Sequence, residues 1–289
     1  MNQIGYTFRL HHGNAPLLIS MPHVGTDLPH EIQAQLSDTA LLRQDTDWHL
    51  DRLYHFAAAL GATVIQARLS RYAIDLNRPP DGASLYPGQT TTALCPTETF
   101  RGEPLYRDGC GIDATERERR LRWYWQPYHT VLRAQLDRLR ASHSHVLLWD
   151  AHSIASRLPR LFDGRLPDFN FGTADGRTCA PSLVERVLAA ADSPGFTRVL
   201  NGRFKGGHIT RHYGAPTRGI HAIQLEMAQC IYMDEAAPFA YAADRAVRVQ
   251  DALRTMLAAA LEHLPHMDDR SARRTRAAAR TGTLVAPLL

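Results

Sequence analysis

The chain of 289 residues is poor in cysteine, and the four it has, Cys95, Cys110, Cys179 and Cys230, form neither a C-x-x-C pair nor a dense framework. A disulfide-stapled scaffold is excluded, and reduced thiols in a cytoplasmic protein are the expectation. No stretch approaches the ~18 consecutive apolar residues of a membrane span, and the N-terminus lacks a basic segment followed by a long apolar run. There is no G-x-S-x-G elbow, and none of the cysteines sits in a convincing nucleophile motif. Serine or cysteine hydrolysis is therefore disfavoured. Internal repeats and convincing linkers are also missing, so one catalytic domain over residues 1–265 is expected, followed by a basic, flexible tail at 266–289.

Excess charge is scarce too. The formal net charge is +4, and residues 270–282 alone hold five arginines and no acid, so the body is close to neutral. No membrane partner and no specific nucleic acid are expected, and the chain is read as a monomer or small homo-oligomer. A polyanion-binding protein using the tail and the basic loop at 201–214 is the rival reading from another functional class. Hydrophobic content of 44% and charged content of 21% describe a folded, soluble protein.

What is present is an alternation of short apolar runs with longer helical patterns. Strands are expected at 16–21, 62–67, 72–76, 145–153, 196–200 and 220–227. Helices are expected at 47–60, from a Thr115/Glu118 capping box onward with a kink at Pro127, at 181–191 and at 239–261. Residues 82–111 are rich in Gly, Pro and Thr without period and read as a long loop over a site. This order predicts an α/β fold of three layers, α/β/α, around a mostly parallel central mixed sheet.

Open sheets of this kind place their sites beyond the carboxyl ends of the strands. Three such ends carry metal-ligand types: "SMPHVG" with His23, "RQDTDWH" with Asp45, Asp47 and His49, and "LLWDAHS" with Asp150 and His152. Two histidines plus one carboxylate with an open fourth position is a standard hydrolytic zinc set. Asp47 is both a helix N-cap and a ligand in this reading, with Asp45 and Asp27 as alternatives. Asp150, beside an imidazole in an Asp-Ala-His turn, suits orienting a ligand histidine. "SRYAIDLNRPPDG" brings Arg71, Asn77 and Arg78, and Pro79 biases Arg78 to extended geometry suited to a carboxylate. "NGRFKGGHITRHYG" gathers Arg203, Lys205, His208, Arg211 and His212 around two glycines that permit close approach to an anionic ligand. In "IHAIQLEMAQ" alternation sets Glu226 on the face opposite His221, Ile223 and Leu225, where it suits a general base.

The ordered set "PHVGTDLP", "DTDWHLDRLY", "SRYAIDLNRPPDG", "LLWDAHSI", "GRFKGGHITRHYG" and "HAIQLEMAQC" resembles the N-formylglutamate deformylases, amidohydrolases related to zinc carboxypeptidases and aspartoacylase. The resemblance implies a zinc carboxypeptidase-like fold, one divalent metal ion, Zn2+ by preference, and His23 and His152 as imidazole ligands. It implies Glu226 as base and Asn77 with Arg78 as the pair that holds the substrate carboxylate. Where the carboxypeptidase pattern has a ligand glutamate three residues after the first histidine, this chain has Thr26, so Asp47 is taken as the carboxylate. The implied reaction is hydrolysis of N-formyl-L-glutamate to L-glutamate and formate, the last step of a histidine-degradation route. Arg78, with Arg211 or Arg203, would neutralise the substrate carboxylates, Arg78 serving the oxyanion as an alternative, and Arg71, His208 and Arg211 complete the substrate-binding set. A deacylase or carboxypeptidase acting on another N-acyl amino acid is the nearest alternative. Gly25, just after His23, is expected to leave room for substrate.

Overall fold

The structure, a computed structural model, describes residues 4–85, 88, 91–192 and 195–267. All but the first two residues of the expected basic tail at 266–289 lie outside the described residues, and so does the question of its flexibility.

The core is a seven-stranded sheet of order β1-β3-β2-β4-β7-β5-β6, formed by β1 (Phe8–His11), β2 (Leu17–Met21), β3 (Thr63–Ala67), β4 (Val146–Ile154), β5 (Phe169–Gly172), β6 (Arg198–Leu200) and β7 (Ile220–Ala228). Strands β3, β2, β4 and β7 run parallel. β1 joins antiparallel at one edge, and β5 joins antiparallel to β7 and carries β6 parallel beside it. The sheet is therefore mixed and mostly parallel, as expected. β1 and β5 were not anticipated, because "FRLH" and "FNFG" are too short to show a period.

Both faces of the sheet are covered, which is why β4 and β7 read as continuous buried runs. Leu147, Trp149 and Ala151 point into one core with Leu183 and Val187 of the helix Pro181–Ala190 and Val249, Leu253 and Met256 of the helix Ala243–His263. Val146 and Leu148 point to the other, against Tyr128, Leu132, Leu136 and Leu139 of the helix Gln126–Ser142. On that second face the apolar packing stops at the Ser20–Tyr128 hydroxyl contact of 2.9 Å. Beyond it come Asp150 and His152 of β4 and Gln224 and Glu226 of β7, paired in register as Asp150 with Gln224 and His152 with Glu226.

Several local expectations give way to tertiary structure. β4 runs unbroken to Ile154, so Asp150 and His152 sit within the strand and not in the Asp-Ala-His turn expected. The segment 72–76 is a series of turns, because Asp75 and its neighbours are spent on side-chain contacts. The helix expected at 47–60 is a short turn at Leu50–Leu53 and a 3-10 turn at His55–Leu60; its N-cap is His49, in the left-handed region at φ 63°, so Asp47 lies outside it. Asp113, not Thr115, caps the helix Ala114–Arg120 by accepting from the Glu116 N–H. The irregularity expected at Pro127 is a π-helical turn over Leu121–Trp125, just ahead of the residue that lacks an N–H. Among the described residues, 82–111 hold no helix or strand of the sheet, as expected.

Gly25 has a different reason from the one expected. A Cβ there would lie 2.3 Å from the Leu69 carbonyl oxygen and 2.5 Å from the Arg68 carbonyl carbon, so it is the crossing backbone, not a substrate, that demands glycine. Gly25→Ala should lower stability by about 1–3 kcal/mol, the usual cost of forcing a methyl into a packed contact. A denaturant midpoint equal to that of the unmodified protein would show that the two chains can part freely.

Candidate active site

The chain goes from β2 to β3 on one side of β2 and returns to β4 on the other, so the order of connections reverses between β2 and β4. Ligands of open α/β sheets bind at such a reversal. β2 ends at Met21 while β4 and β7 run on to Ile154 and Ala228, and the overhang leaves His152 and Glu226 beside an open crevice. His23 enters it from the loop after β2, and the Asp47 N–H donates to the His23 carbonyl at 3.1 Å, which fixes the two segments together.

His23, Asp47 and His152 thus converge with one possible ligand atom each, all within 4.8 Å of one another, and all three are buried. Asp47 Oδ2 stands 3.8 Å from His23 Nδ1 and 3.0 Å from His152 Nδ1. The rivals lie elsewhere. Asp45 is buried but accepts from the Phe100 N–H at 2.8 Å, and burial pushes its carboxyl up to about 6. Asp27 pairs with Arg68 at 3.1 Å on the half-open surface, and His49 bonds the Phe239 carbonyl at 2.7 Å.

Each imidazole is backed by an acid. His23 Nε2 donates to Asp75 Oδ1 at 2.8 Å, which leaves Nδ1 with its lone pair toward Asp47. Burial, then the nearby Arg71, lowers the His23 pKa, so the ring is neutral as a ligand must be. His152 Nε2 lies 3.1 Å from Asp150 Oδ1, although that oxygen is not aligned for a hydrogen bond. Burial alone would lower the His152 pKa, but Asp150 and Asp47 outweigh it and raise it well above the usual range. His152 Nδ1 faces Asp47 Oδ2 at 3.0 Å, the edge that a ligand imidazole would turn toward a cation. The donor set, its spacing and the acids behind it fit a divalent ion.

Asp75 was not singled out in the sequence, yet it is fully buried and binds His23, the Asn77 N–H at 2.8 Å and Arg71 at 2.6 Å. Its one visible signal is a carboxylate inside an apolar run, two residues before Asn77. Asn77 is a bracket more than a ligand arm. Its amide nitrogen reaches His152 Nε2 at 2.9 Å and Asp150 Oδ2 at 3.2 Å, while its oxygen accepts from the Ile209 N–H at 2.8 Å. Gly207 packs directly on it: a Cβ there would lie 2.4 Å from Asn77 Nδ2, so the close approach that glycine permits is to this amide.

One cavity opens on the cluster, with Arg71, Arg78, Arg203, Phe100, Gln224 and Glu226 in its wall. Arg71 is buried, pairs with Asp75, approaches His23 Nδ1 to 3.3 Å and stacks over Phe100. Arg78 is steered by the Thr92 carbonyl at 2.9 Å and the Thr92 hydroxyl at 3.0 Å. Glu226 accepts from Gln224 at 3.1 Å, and burial pushes its carboxyl up to about 8. Arg211 and His208 are not brought to this wall. Arg211 bonds the Gly206 carbonyl at 2.8 Å and His208 stacks on His212, because the short helix His208–Tyr213 turns both away. Of the two arginines expected as alternatives in this loop, Arg203 and not Arg211 lines the cavity.

The sequence matches the N-formylglutamate amidohydrolase family model over residues 15–233. It is 54% identical over 246 residues to the N-formylglutamate deformylase of Pseudomonas aeruginosa, covering 85% of this chain and 92% of that protein. It is 52% identical over 252 residues to the N-formylglutamate deformylase of Pseudomonas putida, covering 87% and 94%. Among solved structures, an N-formylglutamate amidohydrolase from Ralstonia eutropha JMP134 superposes with a TM-score of 0.77 at 25% identity, covering 89% of this chain and 98% of that one.

The convergence of the three side chains generates a direct prediction. Asp47→Ala should reduce the divalent ion retained by the purified protein by at least tenfold, whereas Asp45→Ala and Asp27→Ala should retain it, as elemental analysis would read out. Full occupancy in Asp47→Ala would remove that carboxylate from the centre.

Proposed function

This chain belongs to the N-formylglutamate amidohydrolase family, and on that premise we propose that it is a cytoplasmic, metal-dependent deformylase that hydrolyses N-formyl-L-glutamate to L-glutamate and formate, closing a histidine-degradation route. The observation that carries the reading is a cavity lined by His23 and His152 of the His-Asp-His cluster, by the buried Glu226 and by Arg78 and Arg203.

A bound divalent ion, zinc by its donor set, would supply Lewis-acid polarisation of the formyl oxygen and a positive charge that draws the Glu226 carboxyl toward its ionised form. The chain supplies the rest. Glu226, on the strand beside His152, takes a proton from water as its oxygen attacks the formyl carbon. Arg71, held rigid by Asp75 and Phe100, presents a guanidinium for the negative charge that develops on the formyl oxygen. As the carbon–nitrogen bond breaks, Glu226 passes its proton to the departing amine, leaving glutamate and formate. The substrate carries two carboxylates, and Arg78 and Arg203 offer two guanidiniums from different segments of the cavity wall.

Glu226→Gln keeps the shape but cannot accept the proton, so kcat for formate release should fall by about 10²–10⁴. Its metal content and melting temperature should survive; normal turnover per bound metal in this variant would remove Glu226 from the mechanism. The two arginine positions separate by their KM. Arg203→Met should raise KM for N-formylglutamate by about 10- to 100-fold, the loss of a charged hydrogen bond worth roughly 1.5–3 kcal/mol. Arg211→Met should leave it within about twofold, and the reverse pattern would return Arg211 to the substrate. N-acetylglutamate, assayed beside the formyl compound, distinguishes a deformylase from a broader deacylase.

A further inference from the structure

Asp47 lies in a stretch without regular structure. It precedes His49, whose backbone is left-handed, and it belongs to no helix whose hydrogen bonds would hold its peptide planes. Yet a carboxylate that completes a metal site must be held to within a fraction of an ångström. The peptide carbonyls on either side of it are both taken by side chains from the turn that follows β7. Gln229 Nε2 donates to the Thr46 carbonyl at 2.9 Å, and the Tyr232 hydroxyl donates to the Trp48 carbonyl at 2.9 Å. Both side chains are buried.

Ser153, the residue after His152, joins the two. Its Oγ lies 3.3 Å from Gln229 Nε2 and 2.7 Å from the Tyr232 hydroxyl. Gln229 Nε2 donates to Ser153 Oγ as well as to the Thr46 carbonyl, and the Tyr232 hydroxyl donates toward both Ser153 Oγ and the Trp48 carbonyl, so the three side chains form one connected network.

We infer that Gln229, Ser153 and Tyr232 are positioning residues that set the affinity of the metal centre by holding the Asp47 carboxylate in place relative to His152. The inference rests on the metal-dependent reading above. It also explains how the ligand from the loop and the glutamate on β7 stay in register, since Gln229 and Tyr232 lie three and six residues beyond Glu226. Loss of such supporting hydrogen bonds typically weakens metal binding by about 10- to 100-fold.

The test is the dissociation constant for Zn2+, measured by chelator competition on metal-stripped protein, with a melting curve of the same stripped sample. Tyr232→Phe and Gln229→Met should each weaken binding by about tenfold or more while the stripped protein melts within a few degrees of the unmodified one. Ser153→Ala, which leaves both carbonyl contacts in place, should weaken it less than either. Where Tyr232→Phe does not fold, Gln229→Met carries the same expectation. Affinity within twofold of the unmodified protein in the folded variants, with a lowered melting temperature, would make these residues ordinary packing and overturn the clamp. If the unmodified protein itself binds no divalent ion tightly, the metal reading and the clamp fall together; a tight site indifferent to all three substitutions overturns the clamp alone.

Discussion

The constraint on which the structure turns is the presence of buried charge at the end of an apolar sheet. His23, Asp47, Asp75, Asp150, His152, Arg71 and Glu226 are all removed from solvent, and a low-dielectric interior tolerates ionised groups only when each is paired and hydrogen-bonded. Pairing is nearly complete: Asp75 is answered by His23 and Arg71, Asp47 by His152, and Asp150 by His152, Asn77 and Thr210. The group that remains poorly compensated is Glu226, whose carboxyl is pushed up to about 8 by burial. A carboxyl whose affinity for a proton is raised toward neutral pH is suited to take up a proton and give it back.

The fold provides this arrangement through unequal strand lengths. Below the Ser20–Tyr128 contact the second face of the sheet is sealed by the helix Gln126–Ser142; above it β4 and β7 continue without β2 as a neighbour. One strand therefore serves two purposes. Its lower half, through Leu148, packs core, and its upper half, through Asp150 and His152, lines a site. The loops after β2 and before Leu50 fill the remaining edge, and a backbone hydrogen bond between Asp47 and His23 locks them to one another.

The clustered carboxylate and the cavity arginines show the same economy of local signal. Where a related pattern has a glutamate this chain has Thr26, and Asp47, from a different loop, is the carboxylate that meets His23 and His152. In the basic loop, Arg203 and Arg211 are chemically equivalent in sequence, but the short helix beginning at His208 rotates Arg211 onto its own backbone and leaves Arg203 at the cavity.

Periodicity and run length in the sequence determined the layers of the fold. The buried strands at Leu17–Met21, Val146–Ile154 and Ile220–Ala228 and the amphipathic helices at Gln126–Ser142 and Ala243–His263 follow from patterns a few residues long, because burial on one or both faces acts directly on local composition. His152 and Glu226 were legible for the same reason, as polar groups within apolar runs, and His23 and Asp47 by residue type close to such runs. Tertiary structure alone decided that Asp75 backs His23 and that Gly25 serves a backbone crossing, because each depends on a contact between segments far apart in the chain that leaves no period in either partner. The turns at 72–76 and the choice of Arg203 over Arg211 at the cavity follow from polar contacts within a few residues, which periodicity does not register.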